Sequence, residues 1–415
     1  MQYLIAMLVC ITALASFINY KFMHLPKVIG LTLITLGLSG ILMILLAIGQ
    51  FWVTPLKTFL TGIDFSRTVI NGMLSFLLFA SALHINALEL SAHKKVVATL
   101  ATLSVFISCI LIGLSIWWLA SLLGIEIPLI YTLLFGALIA PTDAICVIGA
   151  LKQTLTPKAI RMKITGESLF NDAAGIVLFV LILEIAHGAH DKLHLPSILF
   201  LLAREGLGGL LLGYVLGKAT SYFLKQLNHD ETAILLTLAL VTGGYSIAMA
   251  LHVSGPICMV LAGLIVGNHC RSSHISQSTV FRLYQFWHLV DDILNSFLFV
   301  MIGLEILSIH TGWIPFGIGV LAFFIILGVR MISVAGPLLI LEPLSQFSWK
   351  VLSVMTWGGM RGGLSVALAL AIPQGEHKSL IVSITYSVVV LSIILQGLTL
   401  RPLIQRLYPT PAPHA

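Results

Sequence analysis

Two long apolar stretches, residues 129–150 and 163–186, place ionisable groups where a membrane-spanning segment would have its middle. The first reads GALIAPTDAICVIGALK and sets Asp143 just after Pro141 and Thr142. The second reads TGESLFNDAAGIVLFV and carries Glu167, Asn171 and Asp172. A charge at that depth costs about 2.5–3.5 kcal/mol even on the mildest insertion scale. Several such groups in neighbouring segments need partners or a task, and only a fold that supplies them can hold this chain.

The remaining sequence fixes the solvent. Of 415 residues, 58% are apolar and 9% charged, against about 25% charged in soluble domains. Mean hydropathy is +1.05. Long uninterrupted apolar runs, without the alternation of barrel strands, make this an all-α polytopic membrane protein with no separate soluble domain. The opening MQYLIAMLVCITALASF lacks the basic leader of a secretory signal and is expected to be a retained first span. Cys10, Cys109, Cys146, Cys258 and Cys270 have no metal-ligand spacing and read as small apolar residues. The net charge of +6 is spread over loops, which describes membrane topology and not a nucleic-acid surface.

A span takes about 20 mostly apolar residues. Thirteen stretches qualify: 3–20, 28–50, 68–88, 96–123, 129–150, 163–186, 197–224, 232–251, 254–268, 286–307, 313–341, 349–372 and 379–400. The ninth is short enough to be re-entrant. Loops after odd-numbered stretches, with the C-terminal segment, hold Lys21, Lys27, Lys94, Lys95, Lys152, Lys158, Arg161, Lys163, Lys218, Lys225, Arg271, Arg282, Lys350, Arg401 and Arg406. The other side holds only Lys57, Arg67, Lys192 and Lys378. The positive-inside rule then puts the N-terminus outside and the C-terminus in the cytoplasm.

Arg204, Arg330 and Arg361 fall inside spans. Arg361 lies among four glycines in WGGMRGGLSVALAL, so the twelfth span is expected to unwind near its middle, as the fifth does at Pro141. The two interrupted spans stand seven apart. Spans 1–6 and 8–13 then form two inverted repeats with discontinuous helices in matching places, a sequence pointer to a secondary transporter's binding site. That repeat follows from topology, since the halves share no convincing identity.

On the sixth span Ser168 and Asp172 share a face that continues to Gly175, while Glu167 points elsewhere. Carboxylate, hydroxyl and amide oxygens suit a hard cation such as Na⁺ and not a soft metal. Asp172 could instead cap a broken helix or pair with a buried arginine. Asp143 either joins the site or caps the backbone freed at Pro141, and Thr142 offers a hydroxyl or a freed carbonyl. Glu167, Arg330 and Arg361 suggest an internal ion pair of structural value. Arg204 and Glu205 read as a local or interhelical pair. Asp291 and Asp292 open the tenth span at the interface or form an acidic ion entrance. His84, at the inner end of the third span, is a hydrogen-bonded interfacial group or a pH-responsive one. The loop histidines His187, His190 and His194 carry no site logic.

TGESLFNDAAGIVLF and APTDAICV resemble the signatures of the NhaP-type and eukaryotic sodium/proton exchangers within the monovalent cation:proton antiporter family. LLFASALHINALEL, LNSFLFVMIGLEI and WGGMRGGLSVALAL resemble that family's third, tenth and twelfth spans, in order over nearly the whole chain. The resemblance implies an antiporter fold of thirteen helices, a homodimer, and a core built around residues 96–186 and 313–400 that moves against dimerisation elements. It implies a Na⁺ site at Asp172, Ser168 and Thr142 with Asn171 and Asp143, a Glu167–Arg330 pair, and Arg361 compensating the crossing of the unwound spans. An Asn–Asp pair is the family's electroneutral pattern, one Na⁺ for one H⁺. Ala144 stands where the family usually has proline, and Ala173 and Ala174 where glycine and valine are common.

The expected activity is exchange of Na⁺, or Li⁺, for H⁺ by competition at Asp172, with no cofactor beyond the transported ions. A K⁺/H⁺ antiporter of the same fold and a cation channel are the alternatives; an enzyme has no nucleophile–base pair or metal motif to support it. The expected partners are monovalent cations, protons, the bilayer and a second copy of the chain. Without the long cytoplasmic tail of the eukaryotic members, a bacterial inner-membrane location is expected.

Overall fold

The computed structural model describes residues 2–49, 64–143, 157–186, 195–227, 229–272, 275–309, 313–341 and 348–409, with positions 54, 62, 145, 147, 148 and 151 between them. All regular structure among the described residues is helical, as a lipid-embedded backbone requires when each segment must satisfy its own polar groups. In chain order the helices are α1 (Gln2–Ile18), α2 (Lys27–Ala47), α3 (Phe65–His84), α4 (Lys94–Leu122), α5 (Leu129–Ile139), α6 (Lys158–Ala186), α7 (Leu195–Lys225), α8 (Asp230–Ala250), α9 (Gly255–Ser272), α10 (Gln277–Glu305) and α11 (Trp313–Leu341). A split pair follows, α12a (Trp349–Trp357) and α12b (Gly363–Ala371), and then α13 (Lys378–Leu407). Ten of these are long and apolar enough to cross a membrane. The short α5, α9 and the split α12 fall on the fifth, ninth and twelfth stretches of the sequence reading.

Several boundaries differ from those expected, each for a local reason. The third span stops at His84 and not at residue 88, because Ile85 is extended and Asn86 caps a new short helix, Ala87–Ala92, by accepting the Leu88 N–H at 3.0 Å. The tenth begins at Gln277, well before residue 286. Its polar first turns are held by Arg282, which lies 3.1 Å from Asp230 at the start of α8, and by Thr279, which donates to the same carboxylate. Asp291 and Asp292 therefore sit at the midpoint of α10 instead of opening it. The ninth stretch is a continuous helix packed between α3 and α7, with no re-entrant turn. Arg204 is exposed and donates to the Leu251 carbonyl at the end of α8, an interhelical contact. The loop histidines His187, His190 and His194, along with Cys146, Ala144, Lys57, Lys152 and Lys192, lie outside the described residues.

Helix packing has two centres. α4, α5, α6, α11, α12 and α13 pack on one another, and α3, α7, α8, α9 and α10 pack on one another with α2 laid along α10. The two groups meet where α12b rests on the first turns of α3 and on α10, and where α6 touches α9. The breaks in α5 and α12 face each other inside the first group.

Candidate functional site

α5 stops at Ile139 because the chain reaches Pro141, which has no N–H to continue the ladder. α12a stops at Trp357 because Gly358, Gly359 and Gly362 surround Arg361, and glycine holds a helix weakly. The two non-helical segments satisfy each other. The Asp143 N–H donates to the Met360 carbonyl at 2.7 Å. Arg361 Nη1 donates to the Ala140 carbonyl and, at 2.8 Å, to the Pro141 carbonyl. A buried guanidinium thus covers the negative end of α5 and uses carbonyls that its helix leaves without partners. Gly362 is required at this contact: a Cβ there would come 2.3 Å from Asp143 Oδ2.

α6 runs past this crossing without a break. Its face of Ser168, Asp172 and Gly175 turns toward residues 141–143, and Gly175 permits the approach, since a Cβ there would lie 2.1 Å from the Pro141 ring. Ser168 Oγ donates to the Thr142 carbonyl at 2.5 Å, and Asn171 Nδ2 donates to Thr142 Oγ1 at 2.8 Å. Asn171 is fully buried and its Oδ1 has no hydrogen-bond partner. Asp143 Oδ1 accepts the Ile145 N–H at 2.8 Å, so this carboxylate caps the chain beyond the break. Asp172, Asp143, Thr142, Ser168 and the first residues of α12b line a cavity of about 90 Å³. The N-terminus of α12b has no side-chain cap, so its free N–H groups and positive dipole end lie at the same cavity. The donor set around the cavity is oxygen throughout, the set that suits a hard, weakly polarising cation.

On the other side of α6, Glu167 forms a direct ion pair with Arg330 of α11, both nearly without exposure. Gly359 lies against this arginine, its Cβ position 2.6 Å from Arg330 Nε. The pair thus braces α6, α11 and the α12 break from behind while Asp172 faces the cavity.

A larger vestibule of about 530 Å³ adjoins the cavity, and Ser81, Ile145, Ile148 and Thr165 line both. His84, Asp291 and Asp292 line the vestibule. His84 Nδ1 lies 2.7 Å from the Ala80 carbonyl, and its ring sits edge-on to Tyr284 and His288. Asp292 is 3.5 Å from His288, and Asp291 accepts a 3.1 Å hydrogen bond from Asn295 Nδ2. The described structure thus gathers Thr142, Asp143, Ser168, Asn171 and Asp172 at one point, sets Glu167, Arg330 and Arg361 behind it, and puts His84, Asp291 and Asp292 on the wall of the adjoining vestibule. Sequence reasoning passed over Ser392 and Gln396 of α13, which bond to the α12 break. Their signal was a serine and a glutamine four apart in an otherwise apolar span.

Two interrupted helices crossing beside a carboxylate-lined cavity define the antiporter fold of secondary transporters. Residues 4–406 match the family model described as sodium/hydrogen exchanger, transmembrane, and the chain belongs to that family. The Na(+)/H(+) antiporter NhaP of Pseudomonas aeruginosa is 39% identical over 98% of this chain and 96% of its own length. The Na(+)/H(+) antiporter NhaH of Halobacillus dabanensis is 34% identical over 83% of this chain and 84% of its own. The solved structure of the sodium proton antiporter MjNhaP1 from Methanocaldococcus jannaschii at pH 8 superimposes with a TM-score of 0.75, covering 99% of both chains at 19% identity. That likeness establishes the fold.

Proposed function

We propose that this protein exchanges Na⁺, or Li⁺, for H⁺ across a bacterial plasma membrane, by alternating access and competition at Asp172. The observation that carries this is the cavity at the crossed breaks, where a carboxylate, two hydroxyls, a carbonyl and an amide converge beside the uncapped N-terminus of α12b. The curated relatives named above are both Na(+)/H(+) antiporters, which favours Na⁺ over K⁺.

Asp172 is the exchanging group. A cation and a proton cannot both occupy it, and the empty, ionised site is too costly to move through the low-dielectric barrier. Ser168 and the Thr142 oxygens complete the cation's shell, Asn171 positions Thr142, and Asp143 balances the helix ends and stays out of the exchange. Glu167 with Arg330, and Arg361, hold the frame. Lys27, Lys158 and Arg161 beside the vestibule belong to the cytoplasmic set by the positive-inside rule, so this conformation opens inward, with the N-terminus outside and the C-terminus in the cytoplasm. His84, Asp291 and Asp292 mark the entrance. The helices around residues 96–186 and 313–400 form the moving core, the others the scaffold and homodimer contact, and the Asn171–Asp172 pair makes the exchange electroneutral, one for one.

The experiment is exchange in proteoliposomes containing a pH-sensitive dye, with Na⁺, Li⁺ or K⁺ added against a preset proton gradient. Wild type should collapse the gradient with Na⁺ and Li⁺, and Asp172→Asn with neither. Collapse by Asp172→Asn, or none by folded wild type, would overturn the proposal.

A further inference from the structure

Where α12 breaks, α13 changes its own winding. It is α-helical to Leu391, opens into a π turn over Ser392–Gln396 and resumes at Gly397. Such turns are rare and frequently mark functional sites in helices. Here the turn offers two side chains to the broken helix beside it. Ser392 Oγ accepts the Arg361 N–H at 2.9 Å. Gln396 Nε2 donates at 2.9 Å to the carbonyl of Trp357, the last residue of α12a. The Ser392 hydroxyl in turn donates to Gln396 Oε1. Both residues are buried, 0% and 3% exposed, so removing either one takes a partner from a backbone group inside the protein.

The network does not end at α12. Arg361, held by its N–H, reaches across with its guanidinium to the Ala140 and Pro141 carbonyls, and Met360 beside it accepts from Asp143. A continuous set of hydrogen bonds therefore runs from the π turn to the segment carrying Thr142 and Asp143, although neither Ser392 nor Gln396 lines the cavity at Asp172. We propose that Ser392 and Gln396, presented by the π turn of α13, are positioning residues for the ion site: they fix the backbone of the α12 break, and through Arg361 the α5 break, in the arrangement that binds the cation. This rests on the exchange activity proposed above.

The test compares Ser392→Ala, Ser392→Thr and Gln396→Leu with wild type in two measurements: Na⁺-dependent proton exchange, and amide hydrogen exchange over residues 140–143 and 357–361. Losing one network hydrogen bond should raise the half-saturating Na⁺ concentration about 3- to 10-fold, with a smaller change in maximal rate. Amide exchange should quicken at both breaks, and Ser392→Thr, which keeps the hydroxyl, should stay near wild type. Lower thermal stability with unchanged half-saturation and unchanged amide exchange at residues 140–143 would mean packing alone and overturn the proposal. If Gln396→Leu does not fold, the serine pair decides. If wild type shows no exchange with any cation, the transport reading fails separately, and amide exchange at residues 140–143 still decides whether α13 holds the α5 break.

Discussion

Asp172 and Glu167 are carboxylates five residues apart on one helix, and the helical period sends them to opposite environments. Glu167 meets Arg330 in direct contact, and the pair is buried; Asp172 lines a cavity with hydroxyl and carbonyl oxygens. Removal should therefore damage different things. Glu167→Ala leaves Arg330 buried and uncompensated and should cost about 3–5 kcal/mol, seen as a lower midpoint in detergent melting. The double variant Glu167→Ala with Arg330→Met should recover part of that loss. Asp172→Asn should keep wild-type stability and lose exchange. Under the proposed competition of proton and cation for one carboxylate, the half-saturating Na⁺ concentration should rise by about tenfold per pH unit at the acid end of the range, the reciprocal linkage of two exclusive ligands. A half-saturation that does not change with pH would separate proton and cation onto different groups. Gly175 is a further single-residue dependence. Gly175→Ala drives a methyl into the Pro141 ring, and overpacking of this kind costs about 1–3 kcal/mol. Exchange by that variant should fall steeply, and wild-type rates from it would show that α6 can retreat without harm to the site.

At the scale of elements, the broken helices were legible because their causes are chemical and local. Pro141 removes an N–H and the glycines around Arg361 remove helical preference, so both interruptions could be placed within a few residues. The polar cluster on α6 was legible for the same reason, since spacing along one helix decides which side chains share a face. What lay hidden depends on other segments. The early start of α10 is set by Arg282 and Thr279 meeting Asp230 of α8, contacts that hydropathy does not register. The winding of α13 at Ser392–Gln396 likewise becomes visible only when the partner backbone is in place, whereas the Asp143 carboxylate accepting the N–H of Ile145, two residues on, is one of the two readings the sequence offered. Arg361 tests the crossing as an element. Arg361→Ala removes the only charge reaching the Ala140 and Pro141 carbonyls among the described residues, and unpaired buried carbonyls cost about 1–3 kcal/mol each. Amide exchange should quicken at both breaks together, whereas loosening of α12 alone would show that α5 stands without it.

For the molecule as a whole, the vestibule gives sidedness. Ser81 and Thr165 line both the vestibule and the ion cavity, so a cysteine at either position should react with a membrane-impermeant thiol reagent from the face bearing Lys27, Lys158 and Arg161, and more slowly from the other. Equal labelling from both faces would describe a pore. The pairings of Ser168 and Asn171 with Thr142 carry a last consequence for the whole cycle. Ser168 and Asn171 bond directly to Thr142, so the largest polar demand in the site is the charge on Asp172 itself. On the proposed mechanism that charge is what restrains leakage. Neutralising Asp172 should produce a carrier that swings freely between its two faces with nothing aboard, a freewheel whose motion labelling can follow while its transport reads zero.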